Sequence, residues 1–205
     1  MKEENHKKGI MGGTFDPIHN GHLMLAESAL KQFELDDILF LPAGNPPHKQ
    51  GRHDGADAEQ RLAMVRLAIS GHPHFILDDE EMHRHGLTYT RDTLLRLKAK
   101  EPDTEYYFII GADSLMAFDT WYQPEDICKY CSLIVAGRDG ADESILRQKT
   151  EKLRREFHAS IFFLDAPKVN ISSTSLRSLC REKRPIRDFV PDAVAGYIEE
   201  HGIYS

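Results

Sequence analysis

The segment Gly12–His22, GGTFDPIHNGH, constrains the fold of this 205-residue chain more than any other. It follows a short apolar run, Gly9–Met11. Apolar residues at helical spacing come directly after it: Leu23, Ala26, Leu30 and Phe33. This order predicts a turn between a strand and a helix. Because Gly12 and Gly13 lack a Cβ, a ligand can come close to the backbone of the turn.

Two histidines at the end of this segment point to an anionic ligand. Asn20 is expected to cap the helix, whose free N–H groups and dipole favour negative charge. Charged imidazoles at His19 and His22 suit that position only beside an anion, so the pattern indicates phosphate. A His-x-x-His pair could also be half of a metal site. No third ligand follows at a matching spacing, and we therefore expect no protein-bound metal.

Composition and charge narrow the class of protein. The 40% hydrophobic content and the lack of an apolar run near ~18 residues predict one domain over residues 1–205 with no membrane partner. Three cysteines and a polar N-terminus without a signal peptide predict a cytoplasmic protein. The net charge of −7 argues against nucleic-acid binding. An anion must then be held by a few local cations and helix ends, which favours a small molecule in a pocket.

Short apolar runs alternate with helical patterns along the chain. Strands are predicted at 9–12, 37–42, 75–77, 106–111, 132–136 and 161–164. Helices are predicted at 22–33, 58–70, 90–100, 124–129, 143–157, 174–181 and 192–201. This alternation predicts βαβ units and a doubly wound α/β fold with a mainly parallel sheet. Ligands of such sheets bind beyond the carboxyl ends of the strands, so site residues are expected in the loops there.

Two of these loops carry candidate phosphate or substrate contacts. After the second strand, Asn45 precedes two prolines that stiffen the loop presenting His48 and Lys49. We favour phosphate contact over an incidentally charged loop. Before the third helix, a threonine at 88 or 90 is expected to cap the helix and leave N–H groups facing the pocket. For Arg138, after the fifth strand, a ligand contact and an exposed surface position are equally good explanations.

The fourth strand and the segment after it hold further candidates. The apolar run Tyr106–Ile110 predicts a central strand buried on both faces. Asp113 follows it directly, and ligand binding is favoured over a helix cap. Trp121 is the only tryptophan, with a core role as the default, and Tyr122 comes next. The pair Cys128 and Cys131 is expected to pack in the interior rather than to bind zinc or carry redox chemistry.

A hydroxyl run near the C-terminus predicts a second helix N-terminus with a charge conflict. Ser172–Thr174 reads as a helix N-cap. Arg177 is then expected in the first turn, with its side chain tilted back toward the N-terminus. A cation there opposes the helix dipole unless an anion lies between them. We therefore expect this helix and the one after Gly12–His22 to face the same phosphate chain.

Two motifs carry a family resemblance. Gly12–His22 resembles the Gly-x-Phe-Asp-Pro-x-His-x-Gly-His signature of the nucleotidylyltransferases, and Ile171–Arg177 resembles the Ile-Ser-Ser-Thr-x-x-Arg signature of their adenylyltransferase branch. The loops between them are similar, in order and spacing, to those of the bacterial nicotinate mononucleotide adenylyltransferase family. The resemblance runs from about Gly9 to Tyr204. It implies a doubly wound Rossmann-like sheet, with helices from about residue 172 completing an ATP site.

The resemblance also implies a reaction and a set of site residues. ATP and nicotinate mononucleotide would give nicotinate adenine dinucleotide and pyrophosphate by direct in-line attack, with Mg²⁺ carried by the ATP phosphates. The residues implied in catalysis are His19, His22, Lys49 and Arg177. Those implied in ATP binding are Gly12, Gly13, Thr14, Phe15, Ser173 and Thr174. Those implied in binding the mononucleotide are Asn45, His48, Thr90, Asp113, Trp121, Tyr122 and Arg138.

Alternatives of two kinds stay open. Among enzymes, the acceptor could be nicotinamide mononucleotide or phosphopantetheine instead. Outside enzymes, the chain could be a regulatory module that senses ATP without chemistry. The presence of all four residues implied in catalysis argues against the second. The sequence leaves a homo-oligomer open.

Overall fold

Strands and helices alternate along the chain, as the sequence predicts. The computed structural model describes residues 6–45, 55–84, 86–137, 143–167 and 171–205. Its strands are β1 (Lys7–Gly13), β2 (Asp37–Pro42), β3 (Phe75–Leu77), β4 (Glu105–Gly111), β5 (Cys131–Ala136) and β6 (Ile161–Leu164). Its α-helices are α1 (Asn20–Gln32), α2 (Ala58–Ile69), α3 (Thr90–Lys100), α4 (Ala112–Ala117), α5 (Pro124–Tyr130), α6 (Glu143–Phe157), α7 (Ser173–Arg181) and α8 (Asp192–Glu200). Two 3₁₀ turns lie at Glu80–His83 and Phe118–Thr120.

The strands form one parallel six-stranded sheet in the order β3-β2-β1-β4-β5-β6. Its register places Met11 of β1 beside Ile109 of β4, and Gly111 of β4 beside Ala136 of β5. This is the strand order of the doubly wound Rossmann fold, and it confirms the predicted fold class. The order reverses at the pair β1 and β4. Ligands of such folds bind beyond the carboxyl ends of the strands at this point.

Strand β4 is an interior strand, and its sequence shows why. Tyr106, Phe108, Ile109 and Ile110 are all buried, as expected for a parallel strand covered on both faces. Close packing extends to β1, where a Cβ on Gly9 would lie 2.4 Å from the Cδ1 atom of Ile38. No larger side chain fits at that point without moving its neighbours.

Helix starts account for the main local corrections. Asn20 was expected to be the cap of α1, but it is the first helical residue, and its side-chain amide donates to the carbonyl of Asp188 (3.4 Å). The threonine caps expected for α3 are also wrong: its N-cap is Tyr89, with no side-chain hydrogen bond. Helix α4 and the 3₁₀ turns are too short to show a helical period in the sequence.

The chain groups into two compact units. The first unit contains the described residues of segments 1–11, 25–38 and 89–168. The second unit contains those of segments 12–24, 39–88 and 169–205. A single domain over residues 1–205 stays a prediction. Among the helices of the described ranges, none is long and apolar enough to cross a bilayer.

The three cysteines, Cys128, Cys131 and Cys180, are free. Cys131 is buried, and its Sγ–H donates to the carbonyl of Ile127 (3.4 Å). Burial raises the pKa of the Cys128 thiol to about 11 and also raises that of Cys131. Both thiols are therefore protonated at neutral pH, in keeping with the packing role that the sequence predicts.

Candidate active site

The turn between β1 and α1 has a backbone shape that its buried aromatic ring holds in place. Phe15 has φ +52°, in the left-handed region that bulky residues rarely adopt. Its ring is fully enclosed, 5.9 Å from that of Phe40 and edge-on to His22 at 5.1 Å. A Cβ on Gly13 would lie 3.3 Å from this ring, so the missing side chain makes room for Phe15 itself. The peptide bond before Pro17 is cis.

His19 and His22 stack on each other at the start of α1. Their ring centroids are 3.7 Å apart, with 26° between the planes. The backbone N–H of His19 donates to Nδ1 of His22 (3.2 Å). Because that nitrogen accepts a hydrogen bond, the proton of the neutral ring sits on Nε2. His22 thus presents an N–H donor from a ring fixed at its other nitrogen.

Both imidazoles are neutral at pH 7 in the unliganded protein. Burial lowers the pKa of His19 to about 4. Burial and the neighbouring His19 hold the pKa of His22 well below its usual range. This differs from the two charged imidazoles that the sequence suggested, because desolvation outweighs any gain from charge. Nδ1 of His19 is buried and has no hydrogen-bond partner among the described residues.

Helix α7 begins with the cap that the sequence predicts. The side chain of Ser172 accepts from the N–H of Ser175 (3.1 Å), completing a capping box. Ser173 Oγ donates to the carbonyl of Pro17 (2.9 Å), which ties the helix start to the β1–α1 turn. The described N-terminus of α7 is therefore fixed against the same turn that carries the histidines.

Arg177 lies in the second turn of α7, not in the first as expected, because the helix begins at Ser173. Its guanidinium nevertheless lies near the N-terminus of α7, as expected. Nη1 donates to the main-chain carbonyl of Asp16 (2.8 Å), and Nη2 donates to Oγ1 of Thr174 (3.3 Å). Nη1 also lies 3.7 Å from the carboxylate of Asp16. The carboxylate of Asp16 thus supplies part of the negative charge that offsets Arg177.

The carboxylate of Asp16 is surrounded by donors. Oδ1 accepts from the hydroxyl of Tyr204 (2.7 Å) and from the N–H of Ala56 (2.9 Å). With Arg177 on the other side, its negative charge is well compensated. Sequence reasoning did not assign Asp16 or Tyr204 to the site. Asp16 stands inside the first motif, whereas nothing in the sequence singles out Tyr204.

Arg61 is a second buried cation that sequence reasoning missed. It is only 6% exposed and donates through Nη1 to the carbonyls of Thr14 (2.8 Å) and Ala43 (2.9 Å). The signal was available, because Arg61 shares a helical face with the buried Met64 and Val65. A charge on the apolar face of a helix needs a partner, and here it fixes two loops.

A polar cavity of about 240 Å³ lies in the second unit. The cavity is lined by Thr14, Phe15, Asp16, His22, Ser173, Thr174 and Arg177. The structure therefore brings the starts of α1 and α7 to one cavity, although they are far apart in sequence. A helix N-terminus, a fixed guanidinium and an imidazole N–H suit a polyphosphate.

The aromatic residues predicted to contact the mononucleotide lie in the first unit. Trp121 packs edge-on against Phe108 (6.1 Å) and against Phe118 (5.2 Å), and it is neither buried nor fully exposed. Tyr122 is 48% exposed, and its ring lies 4.6 Å from that of Tyr89. Each ring thus has one packed side and some open surface.

The remaining predicted contacts lie at loop and helix starts. Thr90 is the first residue of α3. Asp113 is the second residue of α4 and does not cap it, since the N-cap is Gly111 without a side-chain bond. The carbonyl of Asn45 accepts from the N–H of Thr88 (3.1 Å) in the second unit. His48, Lys49 and Arg138 lie outside the described residues.

Comparison with known proteins agrees with this architecture. A family model described as cytidylyltransferase-like matches residues 10–179. A Lachnoclostridium phytofermentans protein named "Probable nicotinate-nucleotide adenylyltransferase" is 46% identical, covering 97% of this chain and 98% of its own. A protein of the same name from Synechococcus sp. strain JA-3-3Ab is 45% identical, with coverage of 98% and 96%. The structure of Plasmodium falciparum nicotinic acid mononucleotide adenylyltransferase complexed with NaAD has the same fold, with a TM-score of 0.79, 97% coverage of each chain and 21% identity.

Proposed function

This chain belongs to the cytidylyltransferase-like family and, within it, to the nicotinate-nucleotide adenylyltransferases, and we propose that it transfers the adenylyl group of ATP to nicotinate mononucleotide. The products are nicotinate adenine dinucleotide and pyrophosphate. The observation that carries the proposal is the polar cavity between the starts of α1 and α7, with His22 and Arg177 in its wall.

The proposed step is a single displacement at phosphorus. An oxygen of the acceptor's 5′-phosphate forms a bond to the α-phosphorus of ATP, the bond to the bridging oxygen breaks, and pyrophosphate leaves. The attacking phosphate is already ionised at neutral pH, so the step needs no general base. Catalysis then consists of positioning and of neutralising charge on the phosphate oxygens.

The residues of the cavity suit that task as donors. His22 is fixed at Nδ1 by the backbone of His19, which leaves Nε2–H to donate to a phosphate oxygen. Arg177 supplies a cation whose position is set by Asp16. We further propose that the turn at Gly13 and Thr14 and the start of α7 at Ser173 contribute N–H groups. Lys49 is proposed to bridge the attacking phosphate and the triphosphate.

Mg²⁺ enters this proposal as part of the substrate, bound to the ATP phosphates. Among the described residues there is no group of three or more His, Cys, Asp or Glu that could hold a metal ion. Asp16 is the one carboxylate among the described residues that line the cavity; its Oδ1 accepts from Ala56 and Tyr204, and its Oδ2 lies 3.7 Å from Nη1 of Arg177. A metal carried by ATP would neutralise phosphate charge without a protein cage.

The acceptor side of the proposal rests on a charged ring and its carboxylate. The pyridine ring of the mononucleotide is a cation, which the open surface of Trp121 attracts. The carboxylate needs only donors, which the backbone N–H groups of Thr90 and Tyr122 would supply. Further proposed contacts to the mononucleotide are Asn45, His48, Asp113 and Arg138.

The compartment and the oligomeric state belong to the proposal as well. Free cysteines suit a reducing cytosol. Sedimentation of the purified protein decides between a monomer and a homo-oligomer.

One assay tests the reaction and its acceptor together. The protein is incubated with MgATP and, in turn, nicotinate mononucleotide, nicotinamide mononucleotide and phosphopantetheine, and pyrophosphate release is measured. We expect the fastest release with nicotinate mononucleotide, with the dinucleotide identified by mass. With an α-thio analogue of ATP, a single displacement inverts the configuration at phosphorus. Release without any acceptor, or a clear preference for phosphopantetheine, would contradict the proposal.

A further inference from the structure

The segment after α8 contacts Asp16, a lining residue of the polar cavity, through the side chain of Tyr204. After α8, Gly202 (φ +58°) and Tyr204 (φ +69°) adopt left-handed backbone conformations, which reverse the chain direction. The side chains of Ile203 and Tyr204 are buried, and the N–H of Ile203 donates to the carbonyl of Ile198 (3.1 Å). A bulky residue holds such a conformation only when its surroundings fix it. The chain end is therefore an ordered part of the second unit.

The hydroxyl of Tyr204 donates to Oδ1 of Asp16 (2.7 Å), the only acidic side chain among the described residues that line the cavity. Burial and this hydrogen bond raise the pKa of the hydroxyl, so it remains a donor through the neutral and alkaline range. An acidic side chain facing a polyphosphate would repel it unless its charge is compensated. The tyrosine thus supplies part of that compensation from outside the sequence motifs.

The chain is shaped closely around this carboxylate. The N–H of Ala56 donates to Oδ1 (2.9 Å), and a Cβ on Gly55 would lie 2.2 Å from Oδ2. On the other side, Arg177 is joined to Asp16 twice, through the main-chain carbonyl (2.8 Å) and the carboxylate (3.7 Å). Rotation of the Asp16 side chain would therefore take the carboxylate away from the guanidinium and leave Arg177 only its hydrogen bond to the main-chain carbonyl of Asp16.

We propose that Tyr204 is a positioning residue for the nucleotide phosphates, acting through Asp16 on Arg177. Its hydroxyl holds the carboxylate against Ala56 and Arg177, and this keeps the guanidinium and the turn Thr14–Pro17 in place. The inference rests on the proposed function in one respect, namely that the phosphates are those of ATP. Nothing in it depends on which acceptor is used.

The test compares Tyr204→Phe with the unmodified full-length chain. Titration calorimetry measures the Kd of ATP, of inorganic pyrophosphate and of adenosine. We expect the Kd of ATP and of pyrophosphate to rise about tenfold in Tyr204→Phe, because a hydrogen bond to a charged group is lost. Adenosine, which has no phosphate, should bind equally well. In turnover assays, KM for ATP should rise by the same factor, with KM for the mononucleotide unchanged.

Two further variants serve as a control and as an independent test of the same hydrogen bond. Tyr197→Phe removes a hydroxyl from α8, where the ring of Tyr197 packs on His201 (4.1 Å), and should leave all three Kd values unchanged. Asp16→Asn removes the charge of the group that accepts the hydrogen bond from Tyr204. The effects of Asp16→Asn and Tyr204→Phe should therefore be less than additive when the two are combined.

Several outcomes would overturn the inference. These are unchanged pyrophosphate binding in a folded Tyr204→Phe protein, an equal loss of adenosine binding, or tighter pyrophosphate binding in Asp16→Asn. The last would mean that the carboxylate only repels phosphate. Failure of the proposed function looks different: no acceptor supports turnover in the unmodified protein, while the binding comparison can still be made.

Discussion

The side chains of the polar cavity in the second unit and the aromatic residues of the first unit are held in place by different forces. In the cavity, polar side chains are fixed by hydrogen bonds, many of them to main-chain carbonyls, as with Arg177 on Asp16 and Ser173 on Pro17. Trp121 is instead held by packing against two phenylalanines. Tyr122 leaves nearly half of its surface exposed.

The difference follows from what each ligand part requires. Phosphate oxygens carry concentrated charge, and donors stabilise that charge only if their positions are set before the reaction. A planar cationic ring needs a flat face, and one open side of an aromatic ring is enough. Changes in the cavity should therefore reduce turnover with every acceptor. Changes at the aromatic residues should alter the choice of acceptor and leave ATP use intact.

The largest effect is expected from His22→Ala. Removing the N–H that we propose to donate to the phosphates should reduce kcat about a thousandfold, while ATP still binds. Steady-state turnover and calorimetry measure the two quantities. The matched control is His74→Ala, at an exposed histidine, which should keep full activity. Unchanged turnover in His22→Ala would remove this residue from the mechanism.

Next in size is the pH dependence of stability caused by His19. Between pH 6.5 and about 4 the unfolded chain binds a proton at this residue and the folded chain does not, so the unfolding free energy rises with pH. The contribution is complete above pH 6.5 and is lost as the pH falls to about 4. A shift of this size corresponds to about 3 kcal/mol. Urea unfolding over this range measures it.

The control for that experiment is His19→Asn, which has no titrating group at this position and should reduce the slope between pH 6.5 and 4, while His22, whose pKa is also lowered, keeps its own contribution. Asp119, whose pKa its two lysine partners lower to about 2, acts below this window and is the same in both proteins. Equal slopes in both proteins would mean that His19 is not neutral in the fold. The description of the two histidine side chains as neutral groups would then have to be revised.

The third prediction concerns acceptor choice. In the proposed acceptor site, the carboxylate of nicotinate mononucleotide would accept from the backbone N–H groups of Thr90 and Tyr122, whereas a carboxamide would turn its NH₂ against them. Leaving these donors unpaired costs about 2–4 kcal/mol, so kcat/KM should favour the acid over the amide by about a hundredfold or more. Rates with both mononucleotides at saturating ATP provide the measurement. Equal turnover of the two would contradict this account.

The smallest effect is expected from Trp121→Leu. Loss of the cation–π contact should raise KM for nicotinate mononucleotide by roughly fivefold, corresponding to about 1 kcal/mol. KM for ATP should stay the same, which separates this region from the cavity. Phe118→Leu, beneath the indole, serves as a packing control measured by thermal unfolding. A matching rise in KM for ATP would show that the two regions do not act separately.

Much of the fold could be predicted from periodicity alone. The bounds of β2, β3 and β6, and of α3 and α6, agree with the sequence prediction, because each has a clear apolar pattern ended by turn residues. The short α4 was not predicted, because it shows no helical period, and α1 begins at Asn20 rather than at His22. In the site, the importance of Arg61 could have been predicted, because it is a charged residue on the apolar face of a helix. Nothing in the sequence singles out Tyr204.

The sequence by itself determined the alternation of strands and helices, the parallel sheet and the two motifs that hold the histidines and Arg177. These are local or periodic properties, set by side-chain size, polarity and spacing. Only the tertiary structure decided that the imidazoles are neutral, that Asp16 is enclosed by donors, and that the chain end supplies one of them. Desolvation and contacts between distant segments depend on which atoms the fold brings together, and no local pattern encodes that.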